Sequence, residues 1–391
     1  MAKFLVNLVA RAEDELLLCC ARNAAPPDVV ARLRELAAAK DVDWEYLFLI
    51  ARRHAVVPLV YRQLDEHAAD LVPHDHLALL KRHYLENSAR NTLLTAELCR
   101  LIDLFAASGI EAIPYKGPLL ALFAYGNLAL RRFVDLDVIV KKSDVLKARE
   151  ILLDQGYTPT KSLSLTQQEL LLRTQHNMQF SRDNRQLIVE LHWEVAPHLF
   201  ASSVSADDLW NSVATVDLNG TKVKALSPED LLFSLCVHGS RHLWERLSWI
   251  CDVAELISRH RLDWSSLLKR ADEAKSDRMF LLGLFLAEKL LQAHLPADVK
   301  QRFESDKQLE SLAAKVTEHL FNGTTHVPAT SREIFNYNIA VRRSLGARAR
   351  YLIHMFRPTD GDLGARSFPR GFGFAYYLVR PFRVLFKPGV Q

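Results

Sequence analysis

The sequence predicts an α+β fold, in which a small mixed sheet is embedded between helical N- and C-terminal regions. Apolar residues recur at helical spacing in residues 1–109 and 226–330, with Pro, Asp and Gly between the segments. Residues 110–225 instead alternate short strand-like runs with helical ones, and they end in a hairpin pattern. A chain of 391 residues is long enough to bury a substantial core.

The elements of the central region are predicted from apolar runs and the residues that separate them. Ser143 is placed to cap a helix at its start, and Gly156 is placed to end that helix. An Asp-Asn-Arg turn at 183–185 separates two alternating runs, as is typical of a β-hairpin. The predicted elements are an extended run over 110–115, a helix over 119–125, a strand over 131–140, a helix over 143–155, and hairpin strands over 178–182 and 186–193.

The chain is expected to divide into four regions. The first three are a helical N-terminal region (1–109), an α/β core (110–225) and a helical C-terminal domain (226–330) that begins at Ser227-Pro228. The fourth is a basic, aromatic-rich helical tail (331–391), in which Pro358 and Pro369 interrupt two helical segments. This tail holds 11 Lys and Arg against 3 Asp and Glu, a net charge of +8, whereas the whole chain carries only +4.

Cysteine usage and the start of the chain predict a cytoplasmic protein. The five cysteines are an odd number without metal-ligand spacing, which is typical of buried thiols in a reducing compartment. Residues 1–10 lead directly into an acidic stretch, so no signal peptide is expected. No uncharged apolar run approaches the roughly 18 residues that a membrane-spanning helix needs.

The basic tail leaves three kinds of contact open. Its aromatic residues are interleaved with arginines, a composition that suits peripheral contact with an anionic membrane surface. The tail could equally cover the mildly acidic body of the protein or bind nucleic acid. The sequence carries no strong nucleic-acid signal, and the aromatic spacing also suits a packed helix.

Two carboxylates in the central region carry the most specific chemical signal. Side chains alternate across a strand, so Asp135 and Asp137 are expected to project from one face of the predicted strand over 131–140. Two adjacent anions repel each other, and a divalent cation such as Mg²⁺ relieves that repulsion by binding carboxylate oxygens. The sequence therefore predicts a Mg²⁺ (or Mn²⁺) site at this strand.

A third carboxylate follows on the second hairpin strand. Ile188, Glu190 and His192 share one face there, and pairing beside the Asp135 strand would bring three carboxylates together. Such a cluster can hold two Mg²⁺ ions, one activating an attacking hydroxyl and one neutralising a triphosphate. An acidic residue that faces solvent is the alternative interpretation of Glu190.

Upstream residues are suited to binding phosphate. Gly117 lies where a helix is expected to start, and free N–H groups at that position favour phosphate. The positively charged side chains available to bind phosphate are those of Lys116 and of either Arg131 or Arg132. Together with the carboxylates they predict nucleotidyl transfer, in which catalysis relies on positioning and electrostatics.

The order of these motifs resembles the nucleotidyltransferases of the DNA polymerase beta superfamily. It runs Lys-Gly, helix, Tyr, loop, Arg, Asp-x-Asp on an apolar strand, then Val-Glu-Leu-His-Trp. More narrowly, nearly the whole chain is similar to a bacterial family of uncharacterised nucleotidyltransferases often found beside polysaccharide biosynthesis genes. The resemblance implies that Asp135, Asp137 and Glu190 bind metal and are catalytic, and it favours Arg131 over Arg132. The family more often has Asp where this chain has Glu190.

One departure from the superfamily concerns the phosphate grip. Lys116-Gly117-Pro118 stands where Gly-Ser or Gly-Gly is usual, which removes a serine hydroxyl and a donor N–H. The usual triphosphate grip is therefore not expected, and Lys116 would replace it.

The expected activity is transfer of NMP from an NTP to an acceptor hydroxyl, with release of pyrophosphate. The acceptor is not identified by any residue, although the resemblance links it to polysaccharide biosynthesis. Two alternatives stay open: a non-catalytic scaffold that binds nucleotide or a partner, and a toxin-like enzyme that modifies RNA or protein.

Three further residues are candidates for lining the cleft: His192, His238 and Asp252. His238 and His242 stand four apart and share a helical face, but no third ligand for a zinc ion is evident. Hydrogen bonds within the fold are the alternative role for each histidine.

Overall fold

The computed structural model contains a mixed sheet flanked by helices on both sides in sequence, which confirms the predicted α+β class. It describes residues 11–194, 210, 213–324, 329–365 and 374–386. The strands are β1 (Ala112–Pro114), β2 (Leu136–Val140), β3 (Thr158–Pro159), β4 (Asn177–Arg182), β5 (Leu187–His192), β6 (Ala214–Leu218) and β7 (Thr221–Ala225).

The helices of the first half of the chain precede and interrupt the sheet. They are α1 (Ala12–Cys20), α2 (Pro27–Ala37), α3 (Trp44–Arg53), α4 (Val57–His67), α5 (His74–Ala107), α6 (Gly117–Leu120), α7 (Val145–Asp154) and α8 (Leu165–Thr174). A π-helical turn (Ala121–Tyr125) continues α6, and short 3₁₀ turns follow at Leu128–Leu130 and Lys142–Asp144.

The helices of the second half form the C-terminal regions. They are α9 (Pro228–Arg241), α10 (Leu247–Arg259), α11 (Trp264–Glu273), α12 (Asp277–Leu291), α13 (Ala297–Glu304), α14 (Gln308–Leu320), α15 (Ser331–Ala340), α16 (Leu345–Met355), α17 (Asp360–Ala365) and α18 (Ala375–Phe386).

The five-stranded sheet has the order β1-β2-β5-β4-β3. Only the β2–β5 pair is parallel, and its register sets Asp137 directly opposite Glu190. The predicted hairpin is confirmed as β4 and β5, which are joined by a turn whose residues 183–185 all have positive φ. Asp and Asn tolerate that conformation better than most residues, which explains the turn at this point. Strands β6 and β7 form a separate two-stranded hairpin.

Two predicted boundaries are wrong. The strand predicted over 131–140 begins only at Leu136, so Asp135 lies in the segment that leads into β2. Ser143 does not cap α7, because a 3₁₀ turn occupies 142–144 and the cap residue Asp144 makes no side-chain cap bond. Two other signals are confirmed: Gly156 has φ +80 just after α7, and Ser227 Oγ accepts a hydrogen bond from the Asp230 N–H at 3.0 Å.

The two faces of the sheet belong to different hydrophobic cores. The face with Leu136, Val138 and Val140 packs against the C-terminal half of α5 and against α7. The other face contributes Ile113 and Ile139 to a larger core built by α1–α4 and α9–α14. The helices on either side of the α/β region thus share one core, while the division into four regions stays a prediction.

All five cysteines are free thiols and four are buried, as expected.

The tail docks on the α/β core. Tyr376 and Leu363 are buried in the core on the α5 side, and Gln167 Nε2 on α8 donates to both the Leu363 carbonyl and the Tyr376 hydroxyl. Arg380 forms an ion pair of 3.2 Å with Asp362.

The described part of the tail contains four helices rather than the two predicted segments. Pro358 lies between α16 and α17, while Pro369 and residues 1–10 lie outside the described residues. Across the described ranges, no helix is long and apolar enough to cross a membrane.

One buried ion pair joins the loop before β2 to the C-terminal helices. Arg131 Nε and Nη2 donate to both carboxylate oxygens of Asp252 on α10, at 2.9 to 3.1 Å. The side chains of Arg131 and Asp252 are only 11% and 1% exposed. Tyr125 Oη donates to the same carboxylate, and the Asn91 amide of α5 donates to the Arg131 carbonyl.

We predict that Asp252→Ala lowers the free energy of unfolding by about 3–5 kcal/mol, because it leaves the Arg131 guanidinium buried without its counter-charge. Urea denaturation followed by circular dichroism measures this loss. The matched control is Asp272→Ala, whose pair with Arg302 is 41–45% exposed, so its loss should stay below about 1 kcal/mol. Equal losses in the two variants would contradict a structural role for the Arg131–Asp252 pair.

Candidate functional site

The parallel pairing of β2 with β5 creates a buried group of acidic and histidine side chains. His192 Nε2 lies 3.0 Å from Asp137 Oδ1 and 3.4 Å from Glu190 Oε2. One ligand atom from each of the three residues lies within 4.8 Å of the other two. Among the residues that the structure describes, this is the one group of three or more such ligands that could hold a metal ion. We call Asp137, Glu190 and His192 the acidic cluster.

Asp135 lies beside the acidic cluster although it precedes the strand. Burial, together with the negative charges of Asp137 and Glu190, raises the pKa of Asp135 to about 6. A bound cation would relieve this repulsion. Asp135 is thus close enough to interact electrostatically with Asp137 and Glu190, although it is not in the metal-ligand group defined above.

Lys116 and His192 compensate the charge of Asp137. Burial by itself raises the pKa of Asp137, but the Lys116 ammonium and the His192 hydrogen bond outweigh burial and hold that pKa at about 2. Lys116 Nζ lies 3.8 Å from Asp137 Oδ1 and 4.8 Å from the ring centroid of Tyr115. The pKa of His192 is raised, because its hydrogen bonds to the Asp137 and Glu190 carboxylates outweigh the lowering effect of burial. Asp137 is thus an anion that lies between the Lys116 ammonium and the His192 imidazole.

Two amides on β4 fix the position of the Glu190 carboxylate. Asn177 Nδ2 donates to Glu190 Oε2 at 3.0 Å, and Gln179 Nε2 donates to Glu190 Oε1 at 3.1 Å. Thr160 Oγ1 in turn donates to Gln179 Oε1 at 3.1 Å. The sequence analysis missed these residues. A signal was present, because the hairpin turn fixes the register and so sets Gln179 opposite Glu190.

The donor set fits a divalent cation. Carboxylate oxygens suit Mg²⁺ and Mn²⁺, and the imidazole of His192 suits Mn²⁺ and the later transition metals. Asp135, Asp137 and Glu190 could supply the oxygens. His192 could either bind the ion or hold the Asp137 carboxylate in orientation from outside the ligand shell.

Because Gly117 has no side chain, its backbone can pack closely against the segment that carries Asp135. It has φ +53, and a Cβ atom there would lie 3.3 Å from the Asp135 carbonyl oxygen, so a larger residue would be both strained and crowded. Gly117 is the first residue of α6, where backbone N–H groups have no intrahelical partner. This turn brings Lys116 and Gly117 to the same side of Asp137 as β1.

The remaining predicted residues lie in two other places. Arg131 and Asp252 form the buried ion pair described above. His238 on α9 packs its ring 5.0 Å from Trp249 and 4.9 Å from His242. Burial lowers the pKa of His238 well below its ordinary value, and the charge of Lys116 lowers it further, so the ring is neutral.

Helix α9 also contributes a cation that the sequence analysis did not single out. Burial lowers the pKa of Arg241 to about 10, which still leaves the guanidinium charged at neutral pH. Its charge helps to lower the pKa of both His176 and His238. No local pattern distinguishes Arg241 from a surface arginine, because its burial depends on tertiary packing.

Comparison with known protein families agrees with the resemblance seen in the sequence. A family model described as "Uncharacterised nucleotidyltransferase" matches residues 40–292, which include the entire acidic cluster. A solved structure, the crystal structure of an antigenic nucleotidyltransferase-like protein from Paracoccidioides brasiliensis, matches 52% of this chain and 94% of its own at 15% identity. Its TM-score of 0.32 is too low to carry an argument about this chain. No curated protein gives a significant match.

The matched span covers well over half of the chain and contains the five-stranded sheet, Lys116, Gly117 and the acidic cluster. The chain belongs to the uncharacterised nucleotidyltransferase family.

Proposed function

We propose that the chain is a metal-dependent nucleotidyltransferase, which transfers NMP from an NTP to an acceptor hydroxyl and releases pyrophosphate. The observation that carries the proposal is the opposed pair Asp137 and Glu190 on adjacent parallel strands, with Asp135 beside them. A binding scaffold gains no stability from buried carboxylates that repel one another. A transferase needs them, because phosphoryl transfer relies on a neutralised and correctly placed triphosphate.

The carboxylates of Asp135, Asp137 and Glu190 would hold Mg²⁺ or Mn²⁺. When bound, the ion would neutralise charge on the triphosphate and make the acceptor hydroxyl a better nucleophile. The pKa of Glu190 is lowered despite burial, chiefly by the hydrogen bond from His192. A carboxylate with a low pKa is a weak base, so this favours a metal ligand over a general base as the role of Glu190.

The phosphates would be bound by the Lys116-Gly117 turn. Lys116 now pairs with Asp137, and its flexible side chain can turn to the triphosphate once a cation replaces it at the carboxylate. Arg131 would position Asp135, since the ion pair between Arg131 and Asp252 holds the loop that leads into Asp135. His238 and Arg241 from α9 would border the same side of the site.

We expect Asp137→Asn to weaken Mn²⁺ binding at least about 100-fold, because loss of even an indirect partner of a metal ligand costs 10–100-fold. Electron paramagnetic resonance of Mn²⁺ titrated into the full chain measures the affinity and needs no acceptor. Pyrophosphate release from each NTP, with Mg²⁺ or Mn²⁺ and pools of candidate acceptors, should fall by at least the same factor.

The matched control is Asp154→Asn, an exposed carboxylate at the end of α7 that should leave both readouts unchanged. If Asp137→Asn binds Mn²⁺ like the wild type, the proposed metal site is wrong. Nucleotide binding without turnover in any acceptor pool would point instead to the non-catalytic scaffold.

The tail helices carry an apolar surface that supports peripheral membrane contact. Seven of the thirteen exposed large hydrophobic side chains in the described ranges fall within residues 345–378. Leu345, Leu352 and Ile353 share one face of α16, and Phe356, the residue directly after the helix, extends that face. Residues 331–391 also carry a net charge of +8. We propose that this α16 face rests on an anionic bilayer, where arginines attract the headgroups and the apolar side chains insert.

We predict that Ile353→Glu with Phe356→Glu reduces binding to vesicles of phosphatidylcholine with phosphatidylserine by at least about tenfold, because both apolar side chains are replaced by anions. Co-sedimentation at low and high salt measures binding, which should also weaken with salt. Leu93→Glu, a 70% exposed position on α5, is the control and should bind like the wild type. Deleting the tail is unsuitable as a test, because Leu363 and Tyr376 are buried in the core. Equal binding by both variants would refute the proposed surface.

A further inference from the structure

A cavity of about 260 Å³ adjoins the acidic cluster on the side of β4 and β3. Glu190 forms part of its wall together with Asn177 and Gln179, the two amides that hold the Glu190 carboxylate. The Glu190 side chain is 22% exposed, whereas that of Asp137 is 5% exposed. The cavity therefore gives access to the cluster from the Glu190 side.

The lining of the cavity combines three kinds of chemistry. Polar groups suited to hydroxyl recognition come from Thr160, Gln179 and Asn177, while Leu163 and other apolar side chains complete the wall. Two cationic residues also line it, Arg149 from α7 and Lys161 from the segment after β3. Glu190 is the one acidic residue among the lining residues, while Arg149 also forms an ion pair with Glu150, which does not line the cavity. The lining residues by themselves therefore carry a net positive charge at neutral pH.

The order of the strands separates this cavity from the phosphate-binding turn. Lys116 and Gly117 lie at the β1 side of Asp137, whereas the cavity lies beyond β5, toward β4 and β3. In an in-line displacement, the entering oxygen and the leaving pyrophosphate lie on opposite sides of the reacting phosphorus. With the triphosphate toward Lys116, the cavity lies on the side from which the attacking hydroxyl would arrive.

We infer that the cavity is the acceptor site and that it takes a small polyhydroxylated molecule bearing an anionic group, of the sugar-phosphate class. This inference rests on the proposed function. One hydroxyl would lie at Glu190, and the anionic group would lie against Arg149 and Lys161. A volume of 260 Å³ is below the roughly 300–1,000 Å³ of sites for drug-sized ligands, which suits a single sugar unit rather than a polymer.

The reaction balances without a further reactant. The acceptor oxygen forms a bond to the α-phosphorus of the NTP, and the bond from that phosphorus to the oxygen bridging it to the β-phosphate breaks. The hydroxyl proton passes to solvent, the products are an NMP diester of the acceptor and pyrophosphate, and nothing is oxidised or reduced.

The test measures binding of three phosphorylated probes to the full chain by saturation-transfer NMR: glucose 1-phosphate, ribose 5-phosphate and glycerol 3-phosphate. Glucose and inorganic phosphate are measured alongside, because they separate recognition of the hydroxyls from recognition of the anion. We expect at least one phosphorylated probe to bind more tightly than either. The double variant Arg149→Ala with Lys161→Ala should weaken that binding at least tenfold.

The matched control is Lys142→Ala with Arg173→Ala, two exposed cations that do not line the cavity, and it should bind the probe like the wild type. Binding of Mg²⁺ with α,β-methylene-ATP should change less than twofold in the cavity variant. Failure of Mn²⁺ and nucleotide binding in the wild type would overturn the proposed function as a whole.

With Mn²⁺ and nucleotide binding intact, three outcomes would overturn the acceptor site alone. These are the absence of binding by all three probes, equal binding by the cavity variant and the wild type, and displacement of the probe by the nucleotide analogue. The last outcome would mean that the cavity holds part of the nucleotide.

Discussion

The parallel pairing of β2 with β5 is the constraint on which the site depends. Its register puts Asp137 opposite Glu190, so two carboxylates become neighbours in a partly buried place. The surrounding fold then compensates their charge through Lys116 and His192 on one side and the Asn177 and Gln179 amides on the other. These groups come from the turn after β1, from β5 and from β4, so the sheet has to form before the site exists.

The helical regions stabilise the loop that delivers Asp135. Helix α5 holds the loop through the Asn91 amide, and α10 holds it through the Arg131–Asp252 pair. Because the helices on both sides of the α/β region in sequence share one hydrophobic core, a displacement of α10 would be transmitted to Arg131 and the segment before β2. The tail adds a second attachment, since Tyr376 and Leu363 pack into the other core beside α8.

Local patterns predicted much of the fold and part of the site. Alternation identified the hairpin, and the charged face of each strand identified Asp137 and Glu190, because side-chain direction in a strand depends only on neighbouring residues. The start of β2 and the cap of α7 were misjudged. A strand begins where a partner strand is available, and a 3₁₀ turn depends on how the chain leaves the sheet, so neither can be read from composition.

The sequence by itself determined which residues carry charge on a strand face and where the hairpin turns, since both follow from local stereochemistry. Only the tertiary structure decided that β2 and β5 pair in parallel, because that pairing joins segments that are separated in sequence by two helices, α7 and α8, and two strands, β3 and β4. It also decided that Arg131 binds Asp252, which lies 121 residues away. The cavity beside Glu190 has the same origin, because its walls come from α7, α8 and three strands whose contact depends on long-range packing.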